Sequence, residues 1–369
     1  MRRLLLAASL TASLGLPAIA TTTAPSVLLV ISSEGRSEGT TISRPGFEMD
    51  ELAMAWLTLR ANGLQVQIAS PAGGAVVADR HNPRDDHIAA FLADADGVRQ
   101  LQQTRRTQDV KPGEHAAIFL IGGKGAMFDL PRDTALLNLL AAHQGVLAAV
   151  CHGPAALLQV KTPDGRPLVA GRRMTGFSDE EEKLFGKKWA KEYPFWLETR
   201  ARELGAKWEE APLMSPKLVV DGSLVTGQNP FSTTLVAEAI VTQLGRTLQP
   251  RTAFRDEASM QLVTRWLAGE HGGVRAALAA EPKRFNTDLI AMLGYYQFEA
   301  ATDDAARRQA LAVMELAAPH MAHAQFRLGL ARAYAKLAQP QQAREVLTAL
   351  LAADPANAEA RTALEKLAG

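Results

Sequence analysis

A single cysteine lies in residues 148–154 (AAVCHGP) of this 369-residue sequence, and a histidine follows it directly. Cys151 ends an apolar run of strand length, and Gly153 and Pro154 come next, which is typical of a sharp turn from a strand into a helix. A cysteine at such a turn can be a nucleophile, because the amino end of a helix favours the thiolate. Alternatively, Cys151 is a small core residue, as free cysteines usually are. His152 and the Gly-Pro pair would be costly within a core strand, so the sequence favours the nucleophile.

Several short apolar runs predict the strands that would position this turn. Four of them have the length and content of strands buried on both faces, namely residues 27–32 (VLLVIS), 66–71 (VQIASP), 116–123 (AAIFLIGG) and 146–153 (VLAAVCHG). Amphipathic stretches such as residues 50–62 and 134–143 lie between them. This alternation predicts a parallel sheet covered by helices on both sides. Residues 218–227 (LVVDGSLVTG) place an Asp-Gly turn between two apolar runs and predict a hairpin near the edge of the sheet.

The composition changes near residues 245–255, beyond which the chain is rich in Ala and Leu and has no strand pattern. We expect roughly four to six helices there. The offsets of several residues resemble a tetratricopeptide repeat: Leu330, Ala333, Tyr334, Ala343 and Pro355, with an earlier copy at Gly294, Tyr296 and Ala306. We therefore predict an α/β domain over residues 26–244 and an α-helical tetratricopeptide-like domain over residues 255–369. The helical part either binds a protein partner or packs on the first domain.

The first twenty residues have the three-part pattern of a secretory signal. Arg2 and Arg3 precede an apolar run over residues 4–16, and small residues follow Pro17. We predict cleavage after Ala20 and a periplasmic or secreted protein. A retained membrane anchor is the alternative, but the apolar run is short for a bilayer. An exported chain with one cysteine cannot form an internal disulfide.

The overall charge argues against two classes of partner, although a local charged patch could still exist. Lys and Arg number 40 against 39 Asp and Glu, a net charge of +1, which indicates neither nucleic acid nor an anionic membrane as partner. His81, Asp85 and His87 in the segment RHNPRDDH could ligate a metal ion. They match no firm ligand pattern, and so we predict a solvated loop and no metal site.

The motif AVCHGPAALL around Cys151 resembles the ThiJ/PfpI superfamily, a group of class I glutamine amidotransferase-like proteins. Further motifs agree in order, namely IGGKGAMFDLP (residues 121–131), TGFSDEEE (175–182), YPFWLE (193–198) and LVTGQNP (224–230). The resemblance covers about residues 26–244 and is greatest to the branch of glutathione-independent glyoxalases, protein deglycases and holding chaperones. It implies a flavodoxin-like parallel sheet sandwiched by helices.

The resemblance also assigns roles to residues. Cys151 would be the nucleophile, His152 the general acid or base, and Glu182 the carboxylate that orients the histidine. Asp179, Glu180 and Glu181 are the fallback positions if the register of the loop differs. Glu51, on the helix after the first strand, would lie within hydrogen-bond reach of the sulfur, and burial beside a thiolate should raise its pKa.

Three further assignments concern the surroundings of the sulfur. Asp50 or Glu48 could be surface acids of an ordinary amphipathic helix. The backbone amides of Gly123 and His152 are our choice for stabilising an oxyanion, since Gly122-Gly123 end a strand at the same edge of the sheet. Phe195 and Trp196 are either part of the cleft or part of the core.

The implied function is that of a glyoxalase III-like lyase, which converts small α-oxoaldehydes such as methylglyoxal to lactate without cofactor, metal or glutathione. Hydrolysis of glycation adducts is a related reaction, and a cysteine peptidase or amidase is less favoured. Glutamine amidotransfer is disfavoured because Ala149 stands where that class requires glycine. The alternative outside enzymes is a holding chaperone or redox-sensing module. A homodimer and a protein partner for the helical repeats are left open by the sequence.

Overall fold

The computed structural model describes residues 24–367, and the predicted signal segment lies outside them. In that range the chain forms eleven strands. They are β1 (Ser26–Val30), β2 (Arg36–Glu38), β3 (Thr41–Arg44), β4 (Gln65–Ser70), β5 (Arg105–Arg106), β6 (Ala117–Leu120), β7 (Val146–Val150), β8 (Arg173–Met174), β9 (Lys207–Trp208), β10 (Leu218–Asp221) and β11 (Leu224–Gly227). Seven of them form one sheet in the order β10-β11-β7-β6-β1-β4-β5, while β2-β3 and β8-β9 form two small sheets.

The main sheet is parallel except for the hairpin of β10 and β11 at one edge. Its five principal parallel strands are β1, β4, β6, β7 and β11, and they lie in the order β4-β1-β6-β7-β11, which is the flavodoxin-like arrangement. All five side chains of β7 are buried, as are four of the five on β1. A parallel strand covered on both faces requires such an unbroken apolar run. The predicted fold class, with its edge hairpin, is confirmed.

Fourteen α-helices lie within residues 24–367. They are α1 (Met49–Ala61), α2 (Asp86–Ala93), α3 (Ala95–Gln102), α4 (Thr134–Ala142), α5 (Asp179–Phe185), α6 (Leu197–Glu203), α7 (Thr233–Gln243), α8 (Arg255–Leu267), α9 (His271–Ala280), α10 (Thr287–Ala300), α11 (Asp304–Ala317), α12 (Ala324–Lys336), α13 (Pro340–Ala353) and α14 (Ala358–Lys366). Helix α1 packs beside α2 and α7. None of the helices in the described range is long and apolar enough to cross a membrane.

The C-terminal region is entirely helical, with seven helices from α8 to α14 in the described chain instead of the four to six that we expected. The expectation was too low because α8 and α9 precede the first repeat-like copy and α14 follows the last. Helix α10 packs along α11, and α12 along α13. A Cβ at Gly294 on α10 would lie 2.8 Å from the backbone nitrogen of Met314, so the first pair approaches closely where the sequence has glycine.

A loop of the α/β unit is part of the core of the helical region. Leu213 and Met214 are 3% and 4% exposed and pack among the apolar residues of α8, α10 and α11. The amide nitrogen of Gln297 on α10 donates to the carbonyl oxygen of Leu213 at 2.8 Å and to the hydroxyl of Ser215 at 2.9 Å. The helical region therefore packs directly on the α/β unit.

Candidate active site

Cys151 lies on a sharp bend immediately after β7. Its φ of 56° is in the left-handed region, which is uncommon for a residue other than glycine. Two backbone hydrogen bonds hold the bend, one from Cys151 N to the carbonyl of Gly227 at 3.0 Å and one from Phe177 N to the carbonyl of Cys151 at 2.9 Å. The strand-to-turn geometry predicted for this residue is present.

The helix expected after Cys151 is absent from this part of the described chain, and that expectation was wrong. Two single turns of 3-10 helix, Gly153–Ala155 and Leu157–Gln159, follow the bend. The backbone becomes extended at Val160, ahead of the bridge between Lys161 and Pro167. An α-helix dipole that would favour the thiolate is consequently missing at this point.

The sulfur itself is buried, with Cys151 only 4% exposed. Burial raises the pKa of the Cys151 thiol well above its ordinary value, and negative charge on Glu51 or Glu48 would raise it further. The hydrogen bond from the Gly123 amide acts in the opposite direction. The resting group is therefore a thiol, which needs a neighbouring base before it can attack.

His152 is placed to act as that base. Its Nδ1 lies 3.3 Å from the sulfur of Cys151, and its Nε2 lies 2.7 Å from Oε2 of Glu182. His152 and Glu182 are 2% and 3% exposed. A carboxylate at Nε2 keeps the ring proton on that nitrogen, so the lone pair of Nδ1 faces the thiol. The three side chains thus form a cysteine–histidine–glutamate array, and Phe177 packs on the imidazole with ring centres 4.5 Å apart.

The other acids of the segment TGFSDEEE have different positions. Glu181 is also buried, but its carboxylate accepts hydrogen bonds from the side chain of Asn229 at 2.8 Å and from Met214 N at 3.1 Å. Burial raises the pKa of Glu181 to about 6, although these hydrogen bonds oppose the rise. Glu180 is exposed, and Asp179 begins α5. Of the four acids, the structure brings Glu182 to the histidine.

Glu51 is fully buried on α1 and lies beside the sulfur. Its Oε2 accepts a hydrogen bond from Gly122 N at 2.7 Å, and its carboxyl group also hydrogen-bonds the Cys151 side chain. Its Oε1 is buried without a partner in the described chain. Burial raises the pKa of Glu51 to about 8, against the opposing effect of these two hydrogen bonds. Near neutral pH the carboxyl is mostly protonated and can donate a hydrogen bond at the reacting atoms.

Two backbone amides, those of Gly123 and His152, lie near the sulfur of Cys151. Gly123 has a φ of 94°, and a Cβ there would lie 2.4 Å from the backbone nitrogen of Glu48. A Cβ on Gly122 would lie 2.8 Å from the Cβ of Cys151. The amides of Gly123 and His152 donate to no backbone carbonyl within residues 24–367. The Gly123 amide already donates toward the sulfur, and both amides are our choice for stabilising an oxyanion formed there, which is the role that the resemblance suggests for them.

A cavity of about 210 Å³ opens at Cys151 and His152. Apolar side chains line much of it, namely Phe177, Phe185, Met214, Pro230, Phe231 and Met292. The polar side chains that line it, besides Cys151 and His152, are Glu48, Lys124, Glu181 and Asn229. Of the two alternatives left open for Phe195 and Trp196, the structure does not support the cleft: both line a separate cavity with Pro131 and Arg132, and Phe195 packs against the main apolar core. The spacing of aromatic residues along the sequence does not show whether they pack on the core or line a cavity. The sequence therefore did not identify Phe177, Phe185 and Phe231 as residues that line the catalytic cavity.

The segment that contains His81, Asp85 and His87 is not simply a solvated loop, as we had expected. His87 lies in the first turn of α2 and is 2% exposed, with Nε2 2.6 Å from Asp50 and Nδ1 3.1 Å from Asp86. Burial lowers the pKa of His87, but hydrogen bonds to the two carboxylates outweigh it and raise the pKa to about 9. Asp50 is therefore the partner of a buried histidine and not a surface acid.

Comparison with known sequences identifies relatives of the α/β unit. Residues 41–243 match the profile of the DJ-1/PfpI family. The glutathione-independent glyoxalase hsp3101 of Schizosaccharomyces pombe is 35% identical over 211 residues, which cover 53% of this chain and 86% of that protein. Glyoxalase 3 of Candida albicans is 29% identical over 229 residues, 58% of this chain and 96% of that protein.

Solved structures give the same assignment. The crystal structure of glyoxalase III from Candida albicans aligns with a TM-score of 0.54 and 26% identity, over 59% of this chain and 97% of that one. The 24 kDa rapid encystment protein of Francisella tularensis aligns with a TM-score of 0.55 and 30% identity, over 60% of this chain and 99% of that one. The fold, the buried cysteine at its bend and these matches agree with the resemblance noted from the motifs. The chain belongs to the DJ-1/PfpI family, also called ThiJ/PfpI.

Proposed function

We propose that this protein is a glutathione-independent glyoxalase that converts methylglyoxal to lactate. The observation that supports it most strongly is the array of Cys151, His152 and Glu182 beside the buried carboxyl of Glu51, at the end of a small cavity with apolar walls. The similar proteins of Schizosaccharomyces pombe and Candida albicans bear the name glyoxalase. Such an arrangement supplies a nucleophile, a base and an acid within contact of one another.

The first step joins the sulfur to the aldehyde carbon. Nδ1 of His152 accepts the thiol proton while Sγ of Cys151 attacks, and the carboxylate of Glu182 stabilises the imidazolium that forms. The amides of Gly123 and His152 stabilise the developing oxyanion. The imidazolium then returns its proton to that oxygen, which gives a hemithioacetal.

The second step moves hydrogen between the two oxidised carbons. His152, neutral again, removes the proton from the former aldehyde carbon while Glu51, which holds its proton near neutral pH, transfers that proton to the ketone oxygen, and an enediol forms. The imidazolium of His152 then protonates the neighbouring carbon, and the hydroxyl on the former aldehyde carbon returns a proton to Glu51, which leaves lactate bound as a thioester. One carbon is oxidised as the other is reduced, so no external oxidant is needed. Water hydrolyses the thioester to lactate and regenerates the thiol.

Turnover of methylglyoxal by the purified protein without glutathione tests this proposal. We expect lactate to form with the wild-type protein, and we expect Cys151→Ser to lower kcat by about 1000-fold or more, because the hydroxyl is a much weaker nucleophile than the thiol. An exposed glutamate on α5 provides a control, and Glu180→Gln should behave as wild type. A wild-type protein without turnover, or a Cys151→Ser variant of equal activity, would refute the proposal.

Two other activities make different predictions. Hydrolysis of glycation adducts would use the same cysteine, and it is distinguished by release of a free amine from a glycated peptide. A holding chaperone would suppress aggregation of a client protein equally well with Cys151→Ser. Burial and the raised pKa of the Cys151 thiol argue against redox sensing, which requires an accessible thiolate.

We further propose a periplasmic or secreted location and a tetratricopeptide-like arrangement of the helical region. The first proposal rests on the pattern of residues 1–20. Sequencing the amino terminus of the exported protein tests it: a first residue directly after Ala20 supports the proposal, and a retained segment 1–20 contradicts it. The second is supported by the pairing of α10 with α11 and of α12 with α13, with Ala343 fully buried. Homodimer formation and a protein partner for these helices stay predictions.

A further inference from the structure

One wall of the catalytic cavity comes from the C-terminal helical region. Met292 on α10 lines the cavity at Cys151, although the two residues belong to different parts of the fold. Met292 is 40% exposed, so it lies at an open edge of the cavity. Phe231, which follows β11, lines the same cavity.

Helix α10 is held in place beside the catalytic cavity. Tyr296 lies one turn after Met292 on the same side of the helix, and its ring packs edge-on against Phe185, at 5.7 Å between ring centres. Phe185 is itself a wall of the cavity. The adjacent Gln297 donates to the carbonyl of Leu213 at 2.8 Å. These contacts fix the position of Met292 relative to the sulfur.

The start of the helical region is fixed as well. The guanidinium of Arg251 forms ion pairs with Glu238 on α7 and with Glu257 on α8, each at 2.7 Å. The side chain of Arg251 is only 13% exposed, so solvent screens these pairs weakly. The backbone nitrogen of Arg255 donates to Asp86 on α2 at 2.8 Å. The helical region is therefore attached to the α/β unit on both sides of the cavity.

Met292 is one of the residues at the boundary of two cavities. A second cavity of about 530 Å³ lies beside the first, which is about 210 Å³, and both are lined by the same four residues, namely Glu48, Pro230, Phe231 and Met292. The second cavity is rich in acids, with Asp50, Asp85, Asp256 and Asp288 among its lining. A substrate that extends from the first cavity into the second would pass these four shared residues, Met292 among them.

We infer that the C-terminal helical region sets the size limit for the aldehyde, and that Met292 is the specificity-determining residue. The inference rests on the proposed glyoxalase function. The cavity of about 210 Å³ has room for a three-carbon α-oxoaldehyde at the sulfur, and in this inference the phenyl group of phenylglyoxal, which is bulkier than a methyl group, extends to the wall that Met292 contributes.

Substitutions at Met292 test the inference, with kcat/KM measured for methylglyoxal and for phenylglyoxal on the full chain. Met292→Ala removes the obstructing atoms, and the ratio of kcat/KM for phenylglyoxal to that for methylglyoxal should rise about tenfold. Met292→Trp should lower the ratio, and Met292→Leu should leave it within about twofold of wild type. Leu267→Ala is the matched control, because Leu267 is 46% exposed at the end of α8 and lines a different cavity.

The outcomes separate the two proposals. A wild-type protein that turns over neither aldehyde refutes the glyoxalase function, and the inference falls with it. A wild-type protein that turns over methylglyoxal, with an unchanged substrate ratio in both Met292→Ala and Met292→Trp, leaves the function standing and overturns the size limit. Circular dichroism of each variant verifies the fold, and a tenfold change with Leu267→Ala would also contradict a specific role of Met292.

Discussion

Glu51 is the residue at which one substitution should increase stability and abolish activity together. Its pKa is about 8 in the folded protein and its ordinary value is 4.5. The folded state thus binds the proton more tightly than the unfolded state does. The resulting stabilisation is complete below pH 4.5 and is lost as the pH rises through 8.

The size of this effect follows from the two pKa values. A difference of one pH unit corresponds to about 1.4 kcal/mol, so between pH 4.5 and 8 the loss for this fully buried group amounts to about 5 kcal/mol. Between pH 4.5 and pH 7 the loss of stabilisation is about 3 kcal/mol. Glu51→Gln never ionises and keeps an oxygen that can accept the hydrogen bond of Gly122. The variant should therefore exceed the wild type in unfolding free energy by about 1 kcal/mol at pH 5, about 3 kcal/mol at pH 7 and about 5 kcal/mol at pH 9.

Urea denaturation at these three pH values, followed by tryptophan fluorescence, measures the difference. Glu299→Gln serves as the control, since Glu299 is an exposed glutamate on α10 and should show no such pH dependence. The same Glu51→Gln protein should lose glyoxalase activity by about 100-fold or more, because the carboxyl that assists the reaction is gone. A stability difference that does not grow from pH 5 to pH 9 would refute the raised pKa and the acid role assigned to Glu51.

Three further substitutions test other parts of the account. Glu182→Gln should lower kcat about 100-fold, since it removes the charge that orients the catalytic imidazole, whereas Glu180→Gln should not. Gly123→Ala should lower the unfolding free energy by about 2 kcal/mol in calorimetry, because its φ is 94° and the added Cβ meets Glu48; an unchanged Tm would contradict this packing. The pKa of His87 is raised from 6.5 to about 9, so the charged imidazole stabilises the folded protein below pH 6.5 and this stabilisation is lost as the pH rises through 9. His87→Gln should therefore lower the unfolding free energy by about 3 kcal/mol at pH 6 and leave it almost unchanged at pH 10, which urea denaturation measures.

The strands that hold the site can be predicted from the sequence, because a strand buried on both faces needs an uninterrupted apolar run. β1, β6 and β7 have such runs, and each ends at the edge of the sheet where Cys151 and Gly122 lie. The bend was also visible locally, since Gly153 and Pro154 do not suit the interior of a strand. The family motif then identified Glu51 and Glu182, although both lie far from the cysteine in the sequence.

The parts that the sequence could not predict depend on long-range packing. Met292 reaches the catalytic cavity because α10 packs on the loop that contains Leu213 and Met214, and no local pattern encodes that contact. Phe195 and Trp196 pack elsewhere for the same reason. The state of the sulfur was also mispredicted, because an ionised Cys151 was expected from a helix dipole, whereas burial among acids raises the pKa of the thiol.

The central claim is that the sulfur of Cys151 bonds to the aldehyde during turnover. Rapid acid quenching of the protein with methylglyoxal, followed by mass spectrometry of its peptides, tests it most directly. We predict a lactoyl thioester on the peptide that contains Cys151, formed without glutathione and absent once the substrate is consumed. Lactate production during which Cys151 stays unmodified at every time of quenching would contradict the account.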